Sequence, residues 1–373
     1  MDRDGRPLRI GGPHCGVARD SDLGGEVFER MLLTRLPSHG VELEIGLPAS
    51  RKLSETPPGW NVTLLHPGRG LRWYAAPLAF VPYTLRLLRR GDADLLRGHS
   101  VLFTGPSLLL ARRLARSSVP IVLQHLHTDP LWRRLEAWVL RHADVVFTIS
   151  EHSRLQLIAM GVPEERIHVV MPGVRRPERV EPYDAWPADP GGRLLYLSRL
   201  TERKRPRVAI ETLAELRKRG VDASLVVTGD GPLRPSLERL AGSLGISDRV
   251  NWLGTIPERE KWGLYETADV FLFPSALEGF GFVAAEAQTC GLPVIAVRGT
   301  SVAEIVVDGE TGLLVEGDAQ SFADAVERLA ATGRAEAMSA RAQEASARFD
   351  WDRAAAETAR ILAEVAENRR SQG

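Results

Sequence analysis

The chain has 373 residues, of which 44% are hydrophobic and 26% charged, with 48 basic and 48 acidic side chains. That length suits two or three domains with ample core, and a zero formal charge argues against a dedicated nucleic-acid binder. Two distant cysteines, Cys15 and Cys290, make neither a disulfide scaffold nor a metal motif, and no run approaches the roughly 18–20 apolar residues of a membrane span.

The first residues, Met1-Asp-Arg-Asp-Gly-Arg6, lead into no apolar stretch, so no secretory leader is expected and a reducing cytoplasm is the default. The zero charge is the sum of unequal halves. Residues 1–180 carry 25 Lys+Arg against 18 Asp+Glu, and the remainder 23 against 30. A basic first half suits an anionic acceptor or a peripheral contact with the inner face of a membrane, although scatter of this size is also ordinary.

In chain order, apolar runs at 8–12, 41–47, 62–66, 94–97, 121–127, 145–149 and 167–171 predict strands. Helical patterns lie between several of them, at 26–36, 106–116, 131–142 and 151–160. Alternation at these lengths predicts βαβ units and a parallel sheet. The segment 77–90 is apolar and ends in Arg86, Arg89 and Arg90. It reads as a packing helix, interrupted by Pro82, in preference to a segment lying on an anionic bilayer.

Proline and glycine then crowd one stretch (Pro172, Gly173, Pro177, Pro182, Pro187, Pro190, Gly191, Gly192), which is linker chemistry. Beyond it the alternation restarts, with strands predicted at 194–198, 224–228, 250–253, 270–274, 294–297 and 312–315. Helices are predicted at 207–219, 233–244, 258–267, 282–290 and 321–331, and Phe349-Asp-Trp-Asp352 opens a last helix to about residue 366. The expected fold is α/β: two doubly wound Rossmann-like domains over 1–180 and 190–350, followed by a terminal helix in 351–373. Ligands of such sheets bind beyond the carboxyl ends of the strands, and two such edges facing each other would form a deep cleft.

The most informative stretch runs Pro274-Ser-Ala-Leu-Glu278-Gly-Phe-Gly-Phe282, continues to Glu286, and closes on Gly291-Leu-Pro-Val-Ile-Ala296. A strand ends, a glycine-bearing loop follows, and a helix starts near Gly281. Gly279 and Gly281 let backbone amides approach a ligand, and the helix start offers free N–H groups suited to a diphosphate. Glu278 in the loop and Glu286 on the helix can accept hydrogen bonds from sugar and ribose hydroxyls. Taken alone, either glutamate is as well read as a solvated loop or helix residue. A second stretch, Leu197-Ser-Arg199-Leu-Thr-Glu-Arg-Lys204, sets two cations five residues apart after a strand. Lys204 is one of four lysines in the chain. A third, Val227-Thr-Gly229-Asp-Gly231-Pro-Leu233, has Arg234 where a dinucleotide fingerprint needs its third glycine.

These stretches resemble the GT-B retaining glycosyltransferases whose hallmark is two glutamates separated by seven residues, the glycogen-synthase-like and phosphatidylinositol mannosyltransferase-like group 1 enzymes. The resemblance is strong over 194–316 and loose before 190. It implies that Glu278 binds donor-sugar hydroxyls and Glu286 the nucleotide ribose. Amides around Phe280, Gly281 and Phe282 would hold sugar and phosphate. Arg199 and Lys204 would bind the diphosphate, and the loops at Gly229, Gly231 and Gly254 would line the nucleotide pocket. In the first half, Asp22-Leu-Gly24-Gly25-Glu26 matches a loop that approaches donor phosphate and acceptor, within a long glycine-bearing stretch from Gly11 to Gly25. His127, or His125 as the fallback, would contact the donor sugar; His99, which ends the preceding strand in a similar way, is by that position alone a candidate acceptor contact. Ser198 stands where the family often has glycine.

The implied activity is metal-independent transfer of a hexose-type sugar, with retention, from a UDP-sugar or next a GDP-sugar such as GDP-mannose to an unknown acceptor hydroxyl. The donor is a substrate and no cofactor is implied. Rival readings are a sugar-nucleotide epimerase or phosphorylase of the same plan, the latter lacking a coenzyme-lysine signature, and a non-catalytic two-lobed sugar-binding protein.

Overall fold

The two alternating halves fold into two α/β units, Met1–Gly173 together with Asp350–Gly373, and Val174–Phe349. The computed structural model describes residues 6–15, 17, 24–66, 76–128, 131–187, 191–331 and 334–372.

Unit 1 has strands β1 (Leu8–Pro13), β2 (Val41–Pro48), β3 (Trp60–Leu65), β4 (Leu95–His99), β5 (Ile121–Gln124), β6 (Val145–Thr148) and β7 (Ile167–Val169). Its helices are α1 (Gly24–Leu33), α2 (Ala76–Arg90), α3 (Val101–Ala115), α4 (Arg133–Arg141), α5 (Glu151–Ala159) and the terminal α12 (Trp351–Gln372). The strands form one parallel sheet in the order β3-β2-β1-β4-β5-β6-β7. Unit 2 has β8 (Arg193–Leu197), β9 (Ser224–Thr228), β10 (Val250–Gly254), β11 (Val270–Phe273), β12 (Val294–Val297) and β13 (Gly312–Val315). Their order, β10-β9-β8-β11-β12-β13, is again all parallel. Helices α6 (Pro206–Lys218), α7 (Arg234–Ser243), α8 (Glu258–Thr267), α9 (Phe282–Thr289), α10 (Ala319–Ala331) and α11 (Arg334–Ser346) accompany them.

Both sheets are doubly wound, reversing direction between β1 and β4 and between β8 and β11. That reversal places a crevice beyond the carboxyl ends of those strands. The strands read as continuous apolar runs because helices can cover both faces of such a sheet. Leu96, Leu123 and Val146 pack with Val139, Leu140 and Leu157 in unit 1. In unit 2 Leu194, Leu225 and Leu272 pack with Ile210, Leu213 and Phe322. Each such side chain contributes about 1.5–3 kcal/mol by leaving water.

Several boundaries differ from the sequence expectation. Helix α3 begins at Val101, not at 106, so Pro106 lies inside it. Ser100 ahead of it adopts φ 66°, and this turn starts the helix early. Strand β5 ends at Gln124, three residues short of His127. Helix α11 was not anticipated; its small and charged residues carry a weak apolar stripe. Helix α2 packs Phe80, Tyr83 and Leu87 into the core while Arg86, Arg89 and Arg90 face solvent, so this segment is a packing helix. Gly11 and Gly12 belong to β1, and Gly12 is required there: a Cβ would stand 1.9 Å from the Arg97 carbonyl oxygen. Residues 16 and 18–23 of the expected loop, Asp22 included, lie outside the described residues.

The family resemblance also implies that the last helix returns to the first domain, and the terminal helix packs on unit 1. Trp351 lies against Phe28 with ring centroids 5.6 Å apart, and Asp352 pairs with Arg35 at 3.0 Å. At its far end Arg370 reaches Asp94 at 2.9 Å. Among the described residues no helix is long and apolar enough to cross a membrane.

Candidate active site

In unit 2 the chain leaves β8 at Leu197 and turns through Arg199, which is exposed, into a 3-10 turn at Glu202–Lys204. Tyr196 fixes that turn by donating its hydroxyl to the Lys204 carbonyl at 3.2 Å. The Lys204 Nζ then meets Glu278 Oε1, which also accepts from Ser275 Oγ at 2.5 Å. Ser301 Oγ donates to the Glu278 carbonyl at 2.9 Å and holds the loop from behind. Burial pulls the Lys204 ammonium below its usual range; the Glu278 carboxylate opposes this, and nearby Arg203 and Arg199 add to the lowering. Both side chains keep a window to solvent, 14% for Lys204 and 10% for Glu278.

Gly281 caps α9 at φ 109°, a conformation that favours glycine. Phe280 is buried against Phe282 and Phe349, so its side chain is core and only its backbone is available to a ligand. One turn into α9, Glu286 accepts from Lys261 Nζ at 2.9 Å and from Tyr265 Oη at 3.0 Å. Lys261 is shared with Glu258 at 2.7 Å. Burial raises the Glu286 carboxyl above its ordinary range, against the pull of Lys261. Burial alone would lower Lys261, but Glu286 and Glu258 outweigh it and lift the ammonium.

Sequence reasoning missed Lys261 and Tyr265. Their signal was the i,i+4 spacing that puts both on one face of α8, together with the scarcity of lysine.

Gly229 and Gly231 stand at the end of β9 against the turn after β8. A Cβ on Gly229 would lie 2.0 Å from the Ser198 carbonyl oxygen, and one on Gly231 2.5 Å from that of Leu200. The Gly229 N–H donates to the carbonyl of Gly254 at 2.7 Å, and Gly254 ends β10 at φ 69°. These three glycines bring the strand ends together, which is a packing reason for each. The structure therefore gathers Arg199, Lys204, Glu278, the start of α9, Glu286 and the three glycines at one edge of this sheet.

Unit 1 has its own cluster at the corresponding edge. Gly24 and Gly25 start α1, and a Cβ on Gly25 would meet Leu126 at 3.1 Å and His99 Nε2 at 3.6 Å. His127, just past β5, is exposed. His125 is buried, with Nε2 3.2 Å from Thr128 Oγ1 and 3.7 Å from Glu136, so the fallback histidine is a core residue. Below this edge Glu29 of α1 pairs with Arg97 of β4, both 1% exposed or less. Arg97 Nη2 also donates to Gln124 at 3.2 Å. His99 Nδ1 and His14 Nδ1 lie 3.2 and 3.6 Å from Glu29. Burial pulls the Arg97 guanidinium down to about 9, still charged at neutral pH. Burial, and then Arg97, push His99 down to about 3 and lower His14 as well, so both are neutral. No sequence motif announced this network.

Among the described residues no three His, Cys, Asp or Glu side chains converge as a metal site would. The thiols of Cys15 and Cys290 are free, and burial pushes both up to about 12.

Comparison with known proteins gives this geometry a family. The profile of glycosyl transferases group 1 matches residues 188–346, and that of glycosyltransferase family 4 matches residues 24–176. A D-inositol 3-phosphate glycosyltransferase of Xylanimonas cellulosilytica is 31% identical over 401 aligned positions, covering 93% of each chain. A GDP-mannose-dependent alpha-(1-6)-phosphatidylinositol monomannoside mannosyltransferase of Mycolicibacterium smegmatis is 32% identical over 292, covering 71% of this chain and 69% of the relative. Among solved structures, sucrose-phosphate synthase from Thermosynechococcus elongatus superposes with a TM-score of 0.78 at 21% identity, over 96% of this chain and 99% of the other. Anabaena HepE in complex with UDP-glucose does so with a TM-score of 0.70 at 21% identity, over 96% and 100%. The chain belongs to the group 1 glycosyltransferases and has their GT-B fold of two Rossmann-like domains.

Proposed function

We propose that the protein transfers a hexose-type sugar, with retention and without a metal ion, from a nucleoside-diphosphate sugar to an acceptor hydroxyl. The observation that carries this reading is the Lys204–Glu278 pair at the carboxyl edge of unit 2, beside the glycine-capped start of α9. A partly desolvated ammonium and an adjoining helix start are what a departing diphosphate needs when its charge grows in the transition state.

The pair also suggests a sequence of events. A donor diphosphate competes with Glu278 for Lys204. Once Lys204 turns to phosphate, Glu278 is left to accept hydrogen bonds from sugar hydroxyls. Exposed Arg199 adds a second cation to the phosphate. The leaving phosphate then takes the proton of the acceptor hydroxyl on the same face of the sugar, so no protein base of the inverting kind is required. Glu286, oriented by Lys261 and Tyr265, offers its carboxylate to the ribose. Gly229, Gly231 and Gly254 shape the nucleotide side of the same edge.

A UDP-sugar is the favoured donor. Anabaena HepE was solved with UDP-glucose, while the Mycolicibacterium smegmatis relative is GDP-mannose-dependent, which makes GDP-mannose the next candidate. A panel of UDP- and GDP-sugars, scored for nucleoside-diphosphate release with and without acceptor alcohols, tests the reading. Proton NMR of the product then reads the anomeric configuration. Release from none of the panel, or an inverted product, would overturn the proposal.

A further inference from the structure

Helix α4 of unit 1 carries an exposed face to which the proposed transfer assigns no role. Its inner side, Ala137, Val139 and Leu140, is buried in the core. Its outer side is apolar too: Leu131 just ahead of the helix is 90% exposed, Trp132 57%, Leu135 40% and Trp138 45%. Positions 131, 135 and 138 recur at helical spacing, so these side chains form one stripe. Leu131, Trp132 and Leu135 border a hollow of about 620 Å³ whose lining also includes Arg133, Arg134, Ala159 and Met160. Leu155 on α5, one turn before Ala159, is exposed as well.

The charge beside the stripe is mainly positive. Residues 101–142 hold six arginines and two acids, Asp129 and Glu136, and Glu136 is buried. Arg133 and Arg134 border the hollow, and the Arg141 side chain runs beside Gly161, the residue after Met160. Of the exposed acids nearby, Glu151 and Glu164 are bridged by Arg154 and Asp144 pairs with Arg112, while Glu165 also faces solvent.

Indole rings beside leucines, framed by arginines, suit an interface that is apolar below and anionic above. Tryptophan settles at the headgroup level, and guanidinium forks bind lipid phosphates. An amphipathic face of this kind gains from buried apolar area and from attraction to anionic lipid together. We propose that the α4 face of unit 1 docks the protein on an anionic bilayer. The stretch 77–90, read from the sequence as a packing helix in preference to a bilayer segment, packs Phe80, Tyr83 and Leu87 into the core, so the contact belongs to α4 instead. The inference does not depend on the identity of the donor or acceptor.

Co-sedimentation of the full chain with phosphatidylcholine vesicles, with and without one-third phosphatidylglycerol, tests it in the absence of any nucleotide sugar. The wild type pellets with the anionic vesicles at low salt, less at ~0.15 M salt, where charges are screened beyond about 8 Å, and not with pure phosphatidylcholine. Leu131→Ser with Trp132→Ser, and separately Arg133→Glu with Arg134→Glu, each weaken binding about tenfold or more, since each basic residue near the surface is worth about fivefold. Arg86→Glu with Arg89→Glu on α2 serves as a surface-charge control and changes binding less than threefold. All these side chains are exposed, so circular dichroism should show the variants folded. No pelleting at low salt, or pelleting that the α4 variants leave unchanged, overturns the proposal. So does a concentration-dependent dimer in sedimentation velocity that Trp132→Ser abolishes, which would assign the face to a second copy.

Discussion

The two units share a topology but treat charge at their carboxyl edges in opposite ways. Unit 1 seals its ions: Glu29 and Arg97 are fully buried, and His14 and His99 crowd the same carboxylate. Unit 2 keeps its ions half open: Lys204 with Glu278, and Lys261 with Glu286, each retain a tenth or more of their surface. A sealed pair cannot be exchanged for a ligand, because breaking it strands a charge in a dry interior. A half-open pair can be, because an arriving diphosphate or hydroxyl replaces the partner lost. On the proposed function, the contrast separates what holds a Rossmann-like unit together from what lets it react.

The largest expected effect tests the sealed side. Glu29→Ala leaves the Arg97 guanidinium buried without its carboxylate and should cost about 3–5 kcal/mol of unit 1 stability. Hydrogen exchange of β1 and β4 would show this as lost protection while unit 2 is unchanged. Equal loss in both units, or no loss, would remove the distinction between sealed and open pairs.

Acidification sharpens the same comparison, since all nine histidines fall between His14 and His168, in unit 1. His99 and His125 are held by burial at about 3, below the ordinary 6.5. A depressed histidine stabilises the fold fully above 6.5, and that stability is lost as pH falls toward 3. Each should therefore cost unit 1 about 2 kcal/mol between pH 7 and pH 5. Hydrogen exchange at the two pH values should show β4 and β5 loosening well before β8 and β11.

On the open side, Glu286→Ala should raise the donor KM about tenfold with kcat little changed, because it removes binding made equally in ground and transition states. A kcat fall matching the KM rise would place Glu286 at the reacting centre instead. The smallest effect is that of chelation. Turnover in excess EDTA should stay within about twofold of the untreated rate, far from the ~1.4 kcal/mol of a tenfold loss. Loss restored by magnesium or manganese would contradict the proposed role of Lys204 and Arg199 as the cations of the site.

What the sequence revealed followed the same division. The open site was legible because its parts are local: the strand end, the glycine loop, Glu278 and Glu286 lie within thirteen consecutive residues from Pro274. Lys204 was singled out through the family resemblance, which pairs it with Arg199 five residues earlier. Lys261 and Tyr265 were not, because their meeting with Glu286 depends on how α8 packs beside α9. The sealed network was invisible for the same reason. Glu29 and Arg97 are 68 residues apart and each is bland in its own segment. The one available hint was a charge inside the apolar strand β4. The early start of α3 was hidden because Pro106 reads as a first-turn residue, where its missing N–H costs nothing.

The claim that the open pair is the working part of unit 2 is tested most directly by Lys204→Ala. The variant should still melt as a folded protein, because Ser275 continues to donate to Glu278 and that side chain keeps a window to solvent. Its kcat for nucleoside-diphosphate release should fall about 10²-fold or more, as expected when charge stabilisation that grows in the transition state is removed. A folded Lys204→Ala protein with near-normal kcat would contradict the account and reduce Lys204 to a surface cation that neutralises Glu278.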